Sequence, residues 1–534
     1  MKRILSIVLT LSFCLPSVAQ SKTFNLGKWV EIQASILREL NRSYVDSLPV
    51  DRMEKVGVEA MLANLDPYTV YIPQEDQKDL EMMIGKTYGG IGAIIYKPEK
   101  QGNVIINEPY EDSPAQRAGL QCGDEIELID GKTVHGLETK ECSDKMKGEP
   151  GTTVTFRVKK VRSGEIKDVK IVRERIRIPD VEYSAMVNDT TGYILLSGFT
   201  DGAATNVRNE IVRLQKDGNL KKLVLDLRGN GGGLLNEAVD LVGCFVPKGS
   251  LVVTSRGKSE RTTEYRTTKD PVAQNLPLVV LVDSGSASAS EIVSGGLQDM
   301  DRAVIMGSRT FGKGLVQSIR PMPYGGQLKL TTAKYYTPSG RCVQAMDYSR
   351  RNEDGSVGHI PDSLTREFKT AGGRTVRDGG GITPDVKLAD KTYSRLTYSL
   401  VLNGVVEQYT LKYVREHESI PAVADFHFND YDDFVSFALT KKFDYRSSAR
   451  TYYDRMVEEL KRDGLESSMS AELDALRKSL EMEKEQFLRL KKDEIIPFIE
   501  EEIAVRYYYQ RAGIAVRLRY DDQLKEALDK PYKF

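Results

Sequence analysis

The sequence predicts a multidomain α/β protein, with a core of alternating strands and helices, a small strand-rich domain before it and helical regions at both ends. Three observations predict this. Between residues 176 and 392, the apolar strand-like runs Gly192–Leu196, Leu223–Leu227, Leu278–Val282 and Ala303–Met306 alternate with the helical stretches Ala203–Leu214, Leu234–Cys244 and Ile292–Met300. Such alternation marks βαβ units and a largely parallel sheet. Residues 86–175 break instead into short apolar strands separated by glycine-containing turns. Residues 393–534 carry Leu473, Leu476, Leu480, Phe487 and Leu490 at helical spacing beneath a charged face. A chain of 534 residues has room for all of these. Its formal net charge of −1 leaves no electrostatic footprint for nucleic acid or an anionic membrane.

Residues 1–19 read as an export signal. Lys2-Arg3 form a basic start, Ile4–Leu15 an apolar stretch and Ser17-Val18-Ala19 a small-residue cleavage site. Cleavage after Ala19 and a periplasmic or cell-envelope location are expected. Cys14 offers a lipid-anchored alternative, against which the bulky Phe13 argues. No later run approaches the ~18 apolar residues of a membrane span. Cys122, Cys142, Cys244 and Cys342 are scattered and read as structural thiols, with a Cys122–Cys142 bridge as the alternative. No metal or other cofactor is expected.

Residues 20–85 read as helices, with Trp29, Ile32, Ile36 and Leu37 on one face. Leu65-Asp66-Pro67-Tyr68-Thr69 ends them, because proline restricts the residue before it. In 86–175, Tyr88-Gly89-Gly90-Ile91-Gly92-Ala93 leads into an apolar strand, Ile91–Tyr96. A short helix over Ser113–Leu120, a strand at Gly123–Ile126 and a turn at Ile129-Asp130-Gly131 follow. Together these resemble a PDZ domain, which implies capture of a peptide carboxyl terminus as an added strand, its carboxylate held by loop amides at Gly89, Gly90, Ile91 and Gly92. Glycines there let the backbone approach an anion.

In the core, Arg228-Gly229-Asn230-Gly231-Gly232-Gly233 joins a strand to a helix. It lacks both the Walker lysine and GxGxxG spacing, which argues against nucleotide binding. Ser255-Arg256-Gly257-Lys258 fits S-x-x-K, a pattern that needs a helix to bring serine and lysine together. Its charged, glycine-containing surroundings read as a loop.

The stretch Gly285-Ser286-Ala287-Ser288-Ala289-Ser290-Glu291 sits between the strand 278–282 and a helix. A serine there places its hydroxyl at the carboxyl edge of a sheet, beside amides that favour negative charge. A plain helix cap is the competing reading. Arg309-Thr310-Phe311-Gly312-Lys313-Gly314-Leu315-Val316-Gln317 follows the next strand. A lysine between glycines at the start of an apolar strand is an odd surface charge. If Lys313 and Gln317 both lie on that strand, they point to one face. Desolvation makes a lysine a better general base to a serine. None of the four histidines, His135, His359, His417 and His427, lies in these motifs.

Ser286–Glu291, Phe311-Gly312-Lys313-Gly314 and Gln317 resemble the active-site motifs of the carboxyl-terminal processing proteases, also called tail-specific proteases, over roughly residues 30–390. The resemblance implies a PDZ domain ahead of a ClpP/crotonase-like serine protease core. It implies Ser288 as nucleophile, Lys313 as base and Gln317 as the residue that positions the lysine. It implies Gly233, with Gly232 a close second, and Ala289 as donors of the oxyanion-hole amides. Lys147 stands where the family often has an arginine. Tyr336–Arg341 and Gly379–Val386 match landmarks that close the core, with a polar surface loop, 347–362, between them.

The expected organisation is therefore a signal at 1–19, helices at 20–85, PDZ at 86–175, protease core at 176–392 and a helical domain at 393–534. That last domain reads as packing on the core, with dimerisation or adaptor binding as alternatives. The expected function is an exported serine endopeptidase acting on envelope proteins through their carboxyl termini. A peptide-binding scaffold with a dead site is the alternative.

Overall fold

The computed structural model describes residues 17–77, 82, 85–97, 102–259, 261–352 and 354–529. The signal reading and Cys14 fall on residues 1–16, outside the described residues, apart from Ser17–Ala19, which begin the first described helix. The chain forms two compact units. One holds the described residues up to Ile72 together with Ile319–Leu330, and the other holds the rest.

The first unit contains the helices Ser17–Ser43 and Val50–Ala63 and the strand Val70–Ile72, whose Val70 pairs antiparallel with Lys329. The helix stops as the proline predicts. Asp66 then accepts the amides of Tyr68 and Thr69, both at 2.8 Å, and shapes the turn. The expected apolar face is not buried: Trp29 is 64% exposed and Ile36 54%.

The core of the second unit is a six-stranded sheet. Its order is Val181–Met186, Thr191–Leu196, Lys222–Asp226, Leu278–Val282, Val304–Gly307 and Val386–Lys387, antiparallel at the first pair and parallel thereafter. Side chains alternate between its faces. Ile194, Leu225 and Val280 meet Val207, Ile211, Ile292 and Leu297 from the helices Ala203–Asp217 and Ala289–Asp299. Tyr193, Val224, Val279 and Leu281 face the other way, against Leu524 and Ala527 of the helix Asp522–Asp529. Asp521, just before that helix, pairs with Arg228 at 2.6 Å. Ser255 to Gly257 lie on the strand Leu251–Gly257 rather than in a loop, and that strand also excludes the helix an S-x-x-K site needs.

Residues 93–172 form a second sheet in the order Ala93–Tyr96, Val104–Pro109, Glu125–Ile129, Thr153–Lys159 and Ile166–Val172 around Ile106, Ile126, Phe156 and Val158. Ala93–Tyr96 is an edge strand near the helix Thr139–Met146. Cys122 and Cys142 are buried free thiols, so the bridge considered above is not formed.

The carboxyl-terminal part is helical, with its own core around Tyr409, Phe434, Leu488, Ile495 and Ile499. The leucine periodicity spans two helices, Ser470–Leu480 and Lys484–Leu490, because Glu481-Met482-Glu483 interrupts it. Leu473 and Phe487 are buried, whereas Leu476 and Leu490 are exposed. Leu411 and Val414 pack on Ile105 and Val161 of the strand-rich domain. Among the described residues no helix is long and apolar enough to cross a membrane.

Candidate active site

The strand Leu278–Val282 ends in a turn knitted by Asp283, whose Oδ1 accepts the amides of Gly229 (2.8 Å), Gly285 (2.9 Å) and Ser286 (3.1 Å). The three serines that follow differ in environment. Ser286 is buried and its Oγ donates to the carbonyl of Leu227 at 2.7 Å. Ser290 is buried and its Oγ donates to the carbonyl of Asn230 at 2.8 Å. Ser288 is half-buried at the N-cap of the helix Ala289–Asp299, with φ 56° and ψ −110°. A non-glycine residue in such a conformation costs of order 1–3 kcal/mol and persists where its surroundings over-determine it. A strained strand-to-helix turn of this kind lifts a serine hydroxyl to the top of a sheet.

Glu291 supplies part of that determination. It is fully buried in the first turn of the helix. Its Oε2 accepts the amide of Ser288 at 2.9 Å and that of Lys313 at 2.8 Å. Its Oε1 accepts the amide of Gly312 at 2.8 Å and the hydroxyl of Thr310 at 2.6 Å. Burial pushes its carboxyl up, and the four hydrogen bonds pull it back toward the ionised form. One carboxylate thus holds together the two segments that carry Ser288 and Lys313. The sequence reading quoted Glu291 without giving it a role. The signal was present, since S-x-x-E is a capping-box pattern.

Lys313 is half-buried, in an irregular stretch before the strand Leu315–Pro321. It is therefore off the strand, and the alternation rule does not relate it to Gln317. Nε2 of Gln317 donates to Oγ1 of Thr331 at 3.2 Å. The flanking glycines have a packing reason. A Cβ on Gly312, at φ 87°, would lie 2.3 Å from that of Ala345, and one on Gly314 would lie 2.8 Å from the amide of Gln344.

The loop 228–233 runs beside the turn that carries Ser288. A Cβ on Gly232, at φ 98°, would lie 2.9 Å from both the amide nitrogen of Ala289 and Cβ of Ser288. The amide of Gly232 donates to Oδ1 of Asn230 at 2.9 Å, and its carbonyl accepts from the amide of Phe199 at 3.2 Å. Gly233 bridges Phe199 in parallel register, and its own amide donates to no acceptor among the described residues. Asn230, wholly buried, anchors the loop: its Nδ2 donates to the carbonyl of Leu196 at 2.7 Å, and its carbonyl accepts the amide of Ala287 at 3.0 Å. No sequence signal singled it out among its glycines.

The proposed carboxylate loop is shorter than expected. Gly89 and Gly90 belong to the strand Thr87–Gly90, paired with Arg175 and Glu174. Only Ile91 and Gly92 form the bend into the edge strand. The carbonyl of Ile91 accepts the amide of Ala115 at 2.9 Å. Gly92 adopts φ 73°, and a Cβ there would lie 2.6 Å from that of Ser113. Lys147 lies over the ring of Tyr88, 5.8 Å from its centroid.

The histidines lie elsewhere. His417 stacks on Tyr413, His427 faces Glu500, and His135 and His359 are exposed. Among the described residues no three His, Cys, Asp or Glu side chains converge as metal ligands.

Comparisons with known proteins point the same way. The family model described as "Peptidase family S41" matches residues 190–349, "PDZ domain" matches 105–160, and "Probable PDZ-protease, C-terminal helical domain" matches 396–530. The chain is 36% identical over 334 residues to the "Carboxy-terminal-processing protease" of Bartonella bacilliformis, covering 62% of this chain and 76% of that one. It is 36% identical over 312 residues to the "Probable CtpA-like serine protease" of Staphylococcus aureus (strain bovine RF122), covering 58% and 61% respectively. Among solved structures it is similar to the photosystem II D1 C-terminal processing protease, at 26% identity, 66% of this chain, 86% of that one and a TM-score of 0.37. The match to the Bartonella protease spans most of that relative, so the chain belongs to peptidase family S41, the serine-type carboxy-terminal-processing proteases.

Proposed function

We propose that the chain is an exported endopeptidase that captures protein carboxyl termini through its PDZ domain and cleaves with a Ser288–Lys313 pair. The observation that carries the reading is the carboxylate of Glu291, bound at once to the amides of Ser288 and Lys313. In this mechanism neutral Lys313 takes the proton from Oγ of Ser288 as Oγ attacks the scissile carbonyl. The oxyanion is met by the amides of Gly233 and Ala289, a class of contact worth about a hundred- to a thousand-fold in rate per donor. Collapse breaks the C–N bond, and the lysine returns its proton to the leaving amine. Water, deprotonated by the same lysine, then hydrolyses the acyl-enzyme and frees Ser288. Gln317 orients the lysine.

The core is read as ClpP/crotonase-like over 176–392, between a PDZ domain at 86–175 and a helical domain at 393–534, with a signal at 1–19 and helices at 20–85. Substrates are envelope proteins with accessible carboxyl termini. The open edge of Ala93–Tyr96 beside the helix Thr139–Met146 suits an added peptide strand, its carboxylate held by amides around Gly89, Gly90, Ile91 and Gly92. Adaptor binding or dimerisation falls to the helical additions.

A fluorophosphonate probe tests the reading. It should label the wild type and not Ser288→Ala, and a peptide with a free carboxyl terminus should be cut faster than its amide. Labelling of the alanine variant would overturn the nucleophile. Equal rates for acid and amide would overturn carboxylate capture.

A further inference from the structure

The strain at Ser288 needs support on both sides of the residue. Its amide is held by Glu291. Its carbonyl accepts the helix amides of Glu291 (2.9 Å) and Ile292 (3.0 Å), and also a donor from outside the helix, the hydroxyl of Tyr335 at 3.1 Å. Tyr335 lies on the strand Gln327–Tyr336 and is 1% exposed. A phenol so buried requires an acceptor. It also stays protonated, because burial, with Glu291 and Cys342 nearby, pushes it well above its ordinary value. The backbone of the same residue reaches the other half of the site: the amide of Tyr335 donates to the carbonyl of Gly314, next to Lys313, at 3.0 Å. Four residues earlier on this strand, Thr331 accepts from Gln317.

We propose that Tyr335 is a positioning residue, whose hydroxyl fixes the carbonyl of Ser288 while its amide fixes that of Gly314, setting nucleophile against base from the strand side as Glu291 does from the helix side. The proposal rests on the reading of Ser288 and Lys313 as nucleophile and base. Tyr335 touches neither substrate nor reacting atoms in this role. Its loss should slow the chemical step and leave substrate binding intact.

Tyr335→Phe keeps the ring and removes only the hydroxyl. Turnover of a fluorogenic peptide should fall about tenfold or more with KM unchanged, and inactivation by a fluorophosphonate should slow by the same factor. The control is Tyr453→Phe, which removes a comparable buried hydroxyl, donated to the carbonyl of Leu473 at 2.9 Å in the helical domain. It should leave kcat at the wild-type value. Wild-type kcat in Tyr335→Phe would overturn the proposal. So would a loss that tracks the unfolded fraction by circular dichroism and disappears on cooling. Turnover by Ser288→Ala would instead remove the nucleophile assignment, and this proposal with it.

Discussion

In the proposed mechanism Lys313 can act as a base only when neutral, and that fixes what its variants should do. Guanidinium stays protonated at any working pH. Lys313→Arg should therefore be as inactive as Lys313→Ala, with turnover down by on the order of a thousandfold or more. A peptide cleavage assay on variants with wild-type circular dichroism checks this; near wild-type turnover by the arginine variant would return the search to the histidines. As candidates, the serine cluster and Lys313 stand out in the sequence because each is out of place, one at a strand end and the other between glycines, while the choice of Ser288 among the serines rests on the family resemblance. What holds them was less legible. Glu291 carries a local signal, but two of its partners, Gly312 and Lys313, lie about twenty residues away. Tyr335, on a strand of mixed polar and apolar residues, carries no local signal, since the acceptor of its hydroxyl is distant in sequence. The packing that makes Gly312 and Gly314 obligatory comes from residues 344 and 345.

Among the elements, the loop 228–233 has little freedom at Gly232 and Gly233. Gly232→Ala combines positive φ with a Cβ within 3 Å of the backbone of Ala287 and Ala289. The variant should fold, because the loop lies beyond the carboxyl end of the strand Lys222–Asp226 and outside the sheet's hydrogen-bonded ladder, and should lose about a hundredfold in kcat as the neighbouring amides shift. Kinetics alongside thermal melting checks it, and an active variant would mean that the loop does not shape the oxyanion site. A second prediction concerns the helix Val405–Glu416. Burial first, and then the charge of Glu502, push Glu407 up to about 7, with Arg506 opposing. A carboxyl raised in the folded state favours folding below its unfolded pKa, and that contribution is lost as pH rises from about 4.5 to about 7. Glu407→Gln should melt about 2–5 °C above wild type at pH 8 and match it near pH 4.5, the figure allowing for solvent screening of a partly exposed group. Equal melting points at pH 8 would show that the carboxyl ionises without strain. Four of the six core strands were legible to within a residue or two, because buried parallel strands are continuous apolar runs, whereas the edge strands Val181–Met186 and Val386–Lys387 were not. The carboxyl-terminal helices were not, because a leucine period does not reveal the break at 481–483.

Across the whole molecule, the protease sheet depends on residues far down the chain. Arg228, first residue of the loop 228–233, is held by Asp226 behind it and by Asp521 and Gln523 ahead of it. Burial alone would raise the Asp521 carboxyl, but hydrogen bonding and charge from Arg228 hold it below the usual carboxylate range. Its contribution is therefore present above a pH of about 4 and lost as pH falls through the folded value. Asp521→Asn should destabilise by about 1–3 kcal/mol near neutral pH and lower kcat, since the loop loses an anchor at its origin. Urea denaturation and peptide turnover check the two effects, and wild-type values in both would separate the helical domain from catalysis.

The helix Asp522–Asp529 has a consequence for how the molecule comes into being. It covers a sheet face whose first five strands lie more than two hundred residues earlier. A chain emerging vectorially from the ribosome therefore completes those strands long before it can close them. Until that helix arrives, Val224, Val279 and Leu281 stay wet and Arg228 lacks its second carboxylate. Closure of this face of the sheet, and the second anchor of the loop 228–233, are thus deferred until residues 521–529 have been made.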